Sequence, residues 1–453
     1  MHLSAFLPLE CFQRNNHQLE QQLHKQTIGT DTDMTSRSKL MMTLLASAAL
    51  SINSVAAPKE IPDGPPLKGF VPGFKVDYAQ PSKAKNYDLS KHPYFTKWVD
   101  PESKVISYVL TKRVAPLQWP FYFTNSSFSP DGEYLYFYVA FPPCLHIHLG
   151  AVSLNPEKPW IAWYPESAGC GHSAMVAPDS SGVYYFTSHR LCFTSTKGDT
   201  KLVGSIPDDY INKRQVYWVS THLTMSSDGK YFLVDGKIGD DYFISLMDAK
   251  TGEFKLLHEF PYCHNHAQFS PVNPKHFLLP RDWACDPSTG KYEFMENRLF
   301  IMDTEQTYYR ALYPEFWEHH DGDSAHEWWS QDGIVCFVNY VTGVFECNPE
   351  TLEKRHIWKR PVCHAHSNGD RTLFCADQSP YAWNSRPCEI LFYNRLKQEE
   401  KHIVTAMPKP SAERGDYHLD PHPHFSPDGR NIVYMTTVLG NVDVAVTPVE
   451  QLR

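Results

Sequence analysis

Seven copies of one short turn motif constrain the fold of this chain more than any other feature. The clearest copies read Ser-Pro-Asp-Gly, with a bulky residue before the turn and a hydrophobic run after it. Proline presets the turn and Asp-Gly tolerates positive φ, so each copy predicts a tight turn between two strands. The residues before the turns, called anchors below, are Phe128, Val176, Met225, Phe269, Trp329, His366 and Phe425.

The spacing of the anchors, 37 to 60 residues, predicts the architecture. Further strand-and-turn pairs lie between them, such as Tyr242 to Met247, then Asp-Ala-Lys-Thr-Gly, then Phe254 to Leu257. Four short antiparallel strands in each unit of about 40–50 residues are typical of a propeller blade. We therefore predict an all-β, seven-bladed β-propeller with four antiparallel strands per blade. The segment from Pro58 to about Leu110 should supply the outer strand that closes the ring.

Residues 34–56 have the pattern of an export segment. Two basic residues precede an apolar run from Leu40 to Leu50, and small residues follow up to Ala56. This pattern predicts a signal peptide over residues 34–56 and a periplasmic or secreted protein without a membrane span. Residues 57–453 then form a single catalytic propeller domain. Residues 1–33 are interpreted as an extension upstream of the natural start, or as a disordered tail.

Charge and cysteine content narrow the partners and the chemistry. The net charge of -9 argues against nucleic acid, and binding an anionic polymer would require local positive charge or a metal ion. The chain has no GxSxG and no CxxC motif, so neither a serine hydrolase nor a zinc finger is supported. Cys336 and Cys347 could form a disulfide or remain buried thiols. Cys263, Cys285 and Cys363 could form a structural zinc site with nearby histidines.

Histidines recur at a fixed offset before the anchors. Inner strands of a propeller begin on one face of the ring, so these positions should converge on one mouth. The residues three positions before the anchors are Asn125, Ser173, His222, His266, His326, Cys363 and His422. His172, His264, His364 and His424 lie within two residues of this set. Four register-matched histidines from different blades predict an active-site floor or a metal site.

Loops between the second and third strands should reach the same mouth. They carry His146 and His148, His189 and Arg190, Lys237 with Asp240 and Asp241, and Arg281 with Asp282. Arg281 and Lys237 could receive a carboxylate, the arginine as a bidentate fork. The alternative is that both form ordinary salt bridges with Asp282 and Asp241.

Several motifs, in order and spacing, are similar to those of the oligogalacturonate lyases, seven-bladed propellers that degrade pectin fragments. They are NHAQFSP from Asn265, ENRLFIMD, AHEWWSQDGIVCFVNYVTG, CHAHSNGDRTLFCADQ and PHPHFSPDG. The architecture also resembles that of the ulvan lyases. The resemblance implies a manganese ion held by His326 and His422, with His424 nearby, and a catalytic histidine at His266. Asp420 and Tyr417 stand where the family has a histidine and a glutamine, and the catalytic arginine of the family falls near Tyr242.

These observations lead to one functional hypothesis, an exported lyase that cleaves uronic-acid glycans by β-elimination. The expected catalytic residues are His266, Tyr242, His172 and Arg281. The expected substrate-binding residues are His146, His148, His222, Lys237 and Arg190. A divalent ion (Mn, Zn or Ca) would be held by His326, His422, His424 and His364. The alternatives are a non-catalytic periplasmic propeller scaffold or binding module and, less favoured by the histidine-rich mouth, hydrolysis by paired carboxylates.

Overall fold

The computed structural model describes residues 83–282, 284–285, 292–293, 297–312, 324–378, 383, 385–412 and 417–453. The predicted extension over 1–33, the predicted signal peptide over 34–56 and the start of the predicted domain lie outside the described residues. Within these ranges, no helix combines the length and apolar character needed to cross a bilayer.

The strands form seven antiparallel sheets around an axis, which confirms the predicted seven-bladed propeller. Blades are numbered here by their anchors, and their strands are given from the axis outwards. Blade 1 comprises Leu117–Trp119, Tyr134–Ala140, Ile147–Ser153 and Ile161–Tyr164. Blade 2 comprises Met175–Val176, Gly182–Thr187, Arg190–Ser195 and Thr200–Ser205. Blade 3 comprises Val216–Val219 with Thr224–Met225, then Tyr231–Ile238, Asp241–Asp248 and Phe254–Phe260.

The remaining blades follow the same order. Blade 4 comprises Gln268–Phe269, His276–Pro280, Leu299–Asp303 and Tyr309–Ala311, with an inserted hairpin of Ala284–Cys285 and Tyr292–Glu293. Blade 5 comprises Ser324–Trp329, Val335–Asn339, Gly343–Cys347 and Lys354–Trp358. Blade 6 comprises Ala365–Ser367, Leu373–Asp377, Cys388–Asn394 and Glu399–Met407. Blade 7 comprises His424–Phe425, Asn431–Thr436, Asp443–Pro448, Ile106–Leu110 and Phe95–Val99. Short helical turns lie at Leu89–Lys91, Pro165–Ser167, Asp208–Ile211 and Val449–Leu452.

The serine and aspartate of the repeated motif build the turn at the end of each inner strand. In blade 1, Ser129 Oγ donates to the Asp131 carboxylate (2.6 Å) and accepts the Tyr134 N–H (2.9 Å). Gly132 adopts a φ of 74°, a conformation that glycine reaches without steric cost. Ser226 with Asp228, Ser330 with Asp332 and Ser426 with Asp428 repeat the serine–aspartate hydrogen bond. The motif therefore fixes both the turn and the register of the strand that follows.

The ring is closed by strands from opposite ends of the chain. Ile106–Leu110 pairs with Asp443–Pro448, so the N-terminal segment supplies the outer strand of the last blade, as predicted. Inside this blade the Tyr434 hydroxyl donates a hydrogen bond to the Ser107 hydroxyl (2.7 Å), and both residues are buried. Closure leaves the propeller without a break between its first and last blades.

Truncating a core residue of the closing strand should weaken the whole ring. Leu110 is fully buried in the apolar cluster that joins blades 7 and 1. We expect Leu110→Ala to lower the free energy of unfolding by about 2–5 kcal/mol, the usual result of a large-to-small core substitution. Denaturant unfolding measures it, with Leu145→Ala as the control because Leu145 is 44 % exposed. Equal stability of the two variants would contradict closure by this strand.

Of the two alternatives for Cys336 and Cys347, the disulfide is not formed. Cys336 lies opposite Glu346 and Cys347 opposite Val335, so the register of the hairpin separates the two thiols. Both are buried free thiols, the second of the two readings left open by the sequence. The alternative zinc site is also not assembled among the described side chains, because Cys263 packs in an apolar cluster with Phe260 and Ala267. The side chain of Cys285 lies outside the described residues.

Candidate functional site

The backbone of three blades is distorted at a histidine in or just before the inner strand. His266, His326 and His422, each three residues before its anchor, adopt φ values of 52°, 51° and 45°. A non-glycine residue in this region costs about 1–3 kcal/mol, and such residues concentrate at functional sites. In blade 5 the distortion is a shift in pairing register between Ala325 and Trp328. The same strained geometry at one register position in three blades indicates a built site.

Histidines from six blades lie together at one end of the axis, around the ring of Tyr122. Tyr122 stacks on His222 at 4.6 Å between ring centroids and lies 4.6 Å from His422. The imidazoles also contact one another in sequence around the axis. The centroid distances are 4.4 Å for His222–His266, 4.1 Å for His326–His364, 4.2 Å for His364–His422, 4.8 Å for His418–His422 and 5.3 Å for His172–His418. The structure thus brings His172, His222, His266, His326, His364 and His422 into one cluster, called the histidine mouth below.

Residues before the first anchor occupy the axis beneath the histidine mouth. Asn125 donates its amide to the carbonyls of Ala174 (2.8 Å) and Leu223 (3.2 Å), which tethers this segment to blades 2 and 3. A cavity of about 260 Å³ opens on the other side of Asn125, at the end of the ring that carries the Ser-Pro-Asp-Gly turns. Its described lining includes Met225 and no member of the histidine mouth. The chemistry-bearing groups and this cavity therefore lie at opposite ends.

Part of the histidine mouth has the composition and spacing of a metal site. Candidate ligand atoms of His364, His418, Asp420 and His422 all lie within 4.8 Å of one another. A second group, which shares His364, adds His326 and Cys363 under the same limit. Imidazole-rich donor sets with a carboxylate suit transition ions such as Mn²⁺ or Zn²⁺, whereas Ca²⁺ takes oxygen ligands. The described residues therefore fit a divalent transition ion.

The surroundings of these histidines favour the neutral form that binds metal. Asp377 bonds His364 Nδ1 at 3.0 Å, an outer-shell contact that orients the opposite ring nitrogen. His326 Nδ1 donates to the Cys363 carbonyl at 2.6 Å. Burial, followed by the neighbouring histidines, holds the pKa of His422 well below its usual range. His422 Nε2 is buried without a hydrogen-bond partner among the described residues, so this nitrogen can serve as a metal ligand.

His424 does not fit the metal-ligand role predicted for it. Its Nδ1 bonds the His422 carbonyl (2.9 Å), and its Nε2 accepts the Ser127 N–H (3.2 Å). Both ring nitrogens are thereby committed to backbone groups, so the ring joins blade 7 to the segment before the first anchor. His418, four residues before His422, joins the ligand group instead.

His266 belongs to a separate network of charged groups at the same mouth. Its Nδ1 lies 3.2 Å from the Glu327 carboxylate, whose other oxygen accepts the Arg298 guanidinium at 3.3 Å. Arg298 also pairs with Asp282. Burial alone would raise the pKa of Glu327. Arg298 and, after it, His266 instead hold this pKa well below its usual range. Glu327 therefore remains ionised and orients His266, whose side chain is 22 % exposed while Glu327 is fully buried.

The predicted partner of His266, Tyr242, is a buried residue of the apolar cluster between blades 3 and 4. Its ring lies 6.5 Å from that of Trp218 and carries the Lys237 ammonium 4.9 Å from its centroid. The tyrosine whose ring approaches His266 is Tyr122, at 6.2 Å. Tyr122 is thus better placed than Tyr242 to act with His266.

The remaining predicted site residues lie in or beside the connections between the second and third strands of blades 1 to 4. Arg281 covers the Tyr262 ring at 3.7 Å, and Lys237 lies 5.0 Å above Tyr217. His146 and Arg190 are exposed on the loops of blades 1 and 2. His148 is wedged between aromatic rings, Trp163 being 5.2 Å away. None of the contacts described for His146, His148 or Arg190 reaches the histidine mouth.

Five residues of the site were not predicted from the sequence. They are Tyr122, Arg298, Glu327, Asp377 and His418. The Glu327 carboxylate in the AHEWW motif and the extra histidine at position 418 are visible in the sequence and could have been weighed. Tyr122, Arg298 and Asp377 lie at no shared offset from an anchor, so only the fold reveals them.

No family model matches this chain. The chain is similar in sequence to the oligogalacturonate lyase of Dickeya dadantii, with 24 % identity over 358 residues, 70 % of this chain and 87 % of that protein. It is 23 % identical over 357 residues to the oligogalacturonide lyase of Pectobacterium atrosepticum, with the same coverage of both chains.

Two solved structures share the fold. An oligogalacturonate lyase in complex with manganese superposes with a TM-score of 0.64 at 19 % identity, covering 78 % of this chain and 96 % of that chain. An oligogalacturonate lyase from Vibrio parahaemolyticus gives 0.63 at 18 % identity with the same coverage. These likenesses confirm the resemblance to oligogalacturonate lyases that the motifs predict.

Proposed function

We propose that this protein is a lyase that cleaves oligosaccharides of uronic acids, of the oligogalacturonate class, by β-elimination. The observation that carries the proposal is the pairing of a partly exposed His266, oriented by a buried carboxylate, with a metal-ligand group at the same histidine mouth. The sequence likeness to two lyases of that name supports the substrate class.

β-Elimination sets two requirements that this mouth can meet. The reaction removes the proton at C5 of a uronate and expels the sugar at O4, and that proton is barely acidic while the adjacent carboxylate is charged. A base must reach C5, and positive charge must stabilise the developing enolate. With Nδ1 held by Glu327, His266 presents Nε2 as the base. Tyr122 is the candidate acid for the leaving oxygen, and His172 supports the cluster from blade 2.

The positive charge has two possible sources in this chain. His364, His418, Asp420 and His422 would hold a divalent ion, with His326 beside them. When bound, such an ion supplies a Lewis acid that neutralises the substrate carboxylate. Zinc suits the imidazole nitrogens of this group and manganese suits its carboxylate, whereas calcium takes about six to eight oxygen ligands. Arg281 remains the protein's own candidate for a carboxylate clamp, because its guanidinium is not paired with a carboxylate among the described residues.

Two finer parts of the proposal come from the sequence. The pattern over residues 34–56 supports export to the periplasm or the medium. Ulvan, a sulfated uronate polysaccharide, is the second substrate class, since a tyrosine near the expected arginine position resembles the ulvan lyases.

An ultraviolet assay of the unsaturated product tests the proposal. Purified protein is incubated with oligogalacturonides, polygalacturonate and ulvan, with and without added manganese. We expect product from oligogalacturonides and a stoichiometric transition ion in protein prepared without chelator. A propeller scaffold or binding module would yield neither product nor stoichiometric metal, and that pair of results would overturn the proposal.

Replacing Glu327 with glutamine tests its role as a positioning residue. The amide can donate to His266 Nδ1 and favour the wrong tautomer, so we expect kcat to fall about 10²–10⁴-fold with a smaller change in KM. Stability should also fall, because Arg298 would lose one carboxylate partner. Rates are therefore compared per folded enzyme, and Glu327→Asp should restore part of kcat. An unchanged kcat in Glu327→Gln would contradict the role.

A further inference from the structure

We propose that the ligand group of His364, His418, Asp420 and His422 would serve the carboxylate of the cleaved unit, and that Lys237 and Arg281 form a subsite that binds the carboxylates of the flanking uronate units. This inference rests on the proposed function. It explains how the protein would hold an oligomer rather than a single sugar. Lys237 lies near the mouth end of the second strand of blade 3, and Arg281 follows the equivalent strand of blade 4. Both strands end on the side of the ring where the inner strands, with His222 and His266, begin.

Each cation rests on tyrosine rings. The Lys237 ammonium lies 5.0 Å from the Tyr217 centroid and 4.9 Å from that of Tyr242, and the Arg281 guanidinium lies 3.7 Å from that of Tyr262. Cation–π contacts of this kind hold a charge in place without neutralising it. Tyr217 is 39 % exposed, so an apolar ring face remains at the rim for a sugar.

The acidic residues that could have neutralised these cations are engaged elsewhere. Asp241 pairs with Arg214 at 2.5 Å, and Asp282 pairs with Arg298. The simple salt bridges considered for Lys237 and Arg281 are therefore not formed. Within the described part of the chain neither cation has a carboxylate partner, although the whole protein carries a net charge of -9.

Arg281 also has unused hydrogen-bonding capacity. Its Nε is buried and makes no hydrogen bond to any described residue. A buried donor of this kind normally has an acceptor, and a ligand carboxylate is one that the guanidinium can bind in bidentate fashion. Lys237 would act as a point charge, which suits a second carboxylate at a less defined position.

A chain of contacts joins this subsite to the catalytic histidine. Asp282, next to Arg281, bonds Asn265 and Arg298, and Arg298 bonds the Glu327 carboxylate that orients His266. In this proposal, an oligomer with one unit at His266 extends over blades 3 and 4, whose second strands end beside Lys237 and Arg281. The chemistry that recognises it is a row of carboxylates on sugar rings, which neutral oligosaccharides lack.

Binding measurements in a His266→Ala background test the subsite without turnover. Lys237→Met and Arg281→Met keep apolar stems but remove the charge. Lys230→Met is the control because Lys230 directly precedes the opposite end of the strand that contains Lys237. The ligand is trigalacturonate, measured by calorimetry at two salt concentrations, with its methyl ester as the uncharged comparison. We expect about tenfold to hundredfold weaker binding of the acid for each variant, with less salt dependence. The control should bind like its parent, and no variant should change binding of the ester.

The outcomes separate this proposal from the proposed function. Unchanged trigalacturonate affinity in both Lys237→Met and Arg281→Met overturns the subsite and leaves the lyase proposal standing. Binding that depends on both cations, without product from the unsubstituted protein, supports the subsite and overturns the lyase proposal. Absence of trigalacturonate binding to the parent overturns both.

Discussion

Replacing His266 with alanine is expected to reduce kcat about 10²–10⁴-fold, the usual contribution of a positioned general base. Among the described contacts of the histidine mouth, His266 alone pairs with a buried, ionised carboxylate from the next blade, that of Glu327. Its side chain is 22 % exposed, whereas His222, His326, His364 and His422 are almost fully buried. Of these groups, His266 has both the orientation and the access that a base needs. Initial rates with oligogalacturonides measure the effect.

Metal content and stability show whether the loss of kcat in His266→Ala comes from removal of the base alone. His266 belongs to neither candidate ligand group, so His266→Ala should retain the divalent ion and fold normally. The left-handed backbone at position 266 (φ 52°) would persist in the variant, so no large gain in stability is expected. His402→Ala, on the outermost strand of blade 6, serves as the control and should keep full activity. A His266→Ala enzyme with unchanged kcat would eliminate His266 as the base.

Replacing His422 with alanine is expected to weaken binding of a divalent ion at least about a hundredfold and to abolish most activity. Its Nε2 has no partner among the described residues and lies within 4.8 Å of ligand atoms on His364, His418 and Asp420. Outer-shell changes alone cost about 10–100-fold in metal affinity, so loss of a ligand should cost at least as much. Elemental analysis after dialysis, with calorimetric titration of manganese, provides the measurement.

His424→Ala is the matched control, two residues further along the chain. Both nitrogens of His424 bond backbone groups, so the variant should keep its metal. It would leave the buried Ser127 N–H without its acceptor, and stability should fall by about 1–3 kcal/mol. Metal loss in His424→Ala with retention in His422→Ala would reverse the assignment of the ligands.

The sequence was sufficient for the architecture because each blade is encoded locally. Ser129, Asp131 and Gly132 fix a turn through hydrogen bonds within five residues, and the same contacts recur in other blades. Even ring closure by Ile106–Leu110 followed from the weak pattern before the first anchor. The proposed disulfide failed because pairing register, rather than proximity along a hairpin, decides which cysteines meet.

The candidate site was predictable mainly from the repeated register and from histidines close to it, such as His172 and His364. His222, His266, His326 and His422 share an offset from their anchors, and the structure brings all four to one mouth. His424 shares the neighbourhood but not the offset, and its nitrogens bond the backbone instead. Tyr242 illustrates the opposite case, since a position suggested by family likeness lies in an apolar cluster.

By itself the sequence determined a ring of seven blades and one histidine-rich end, because short-range turns and a repeated offset require only neighbouring residues. The tertiary structure alone decided that Tyr122 lies among the imidazoles, that Glu327 joins Arg298 to His266, and that Lys237 and Arg281 have no carboxylate partner among the described residues. Those contacts join side chains from different blades. Their distances depend on how the blades pack around the axis, which no local pattern encodes.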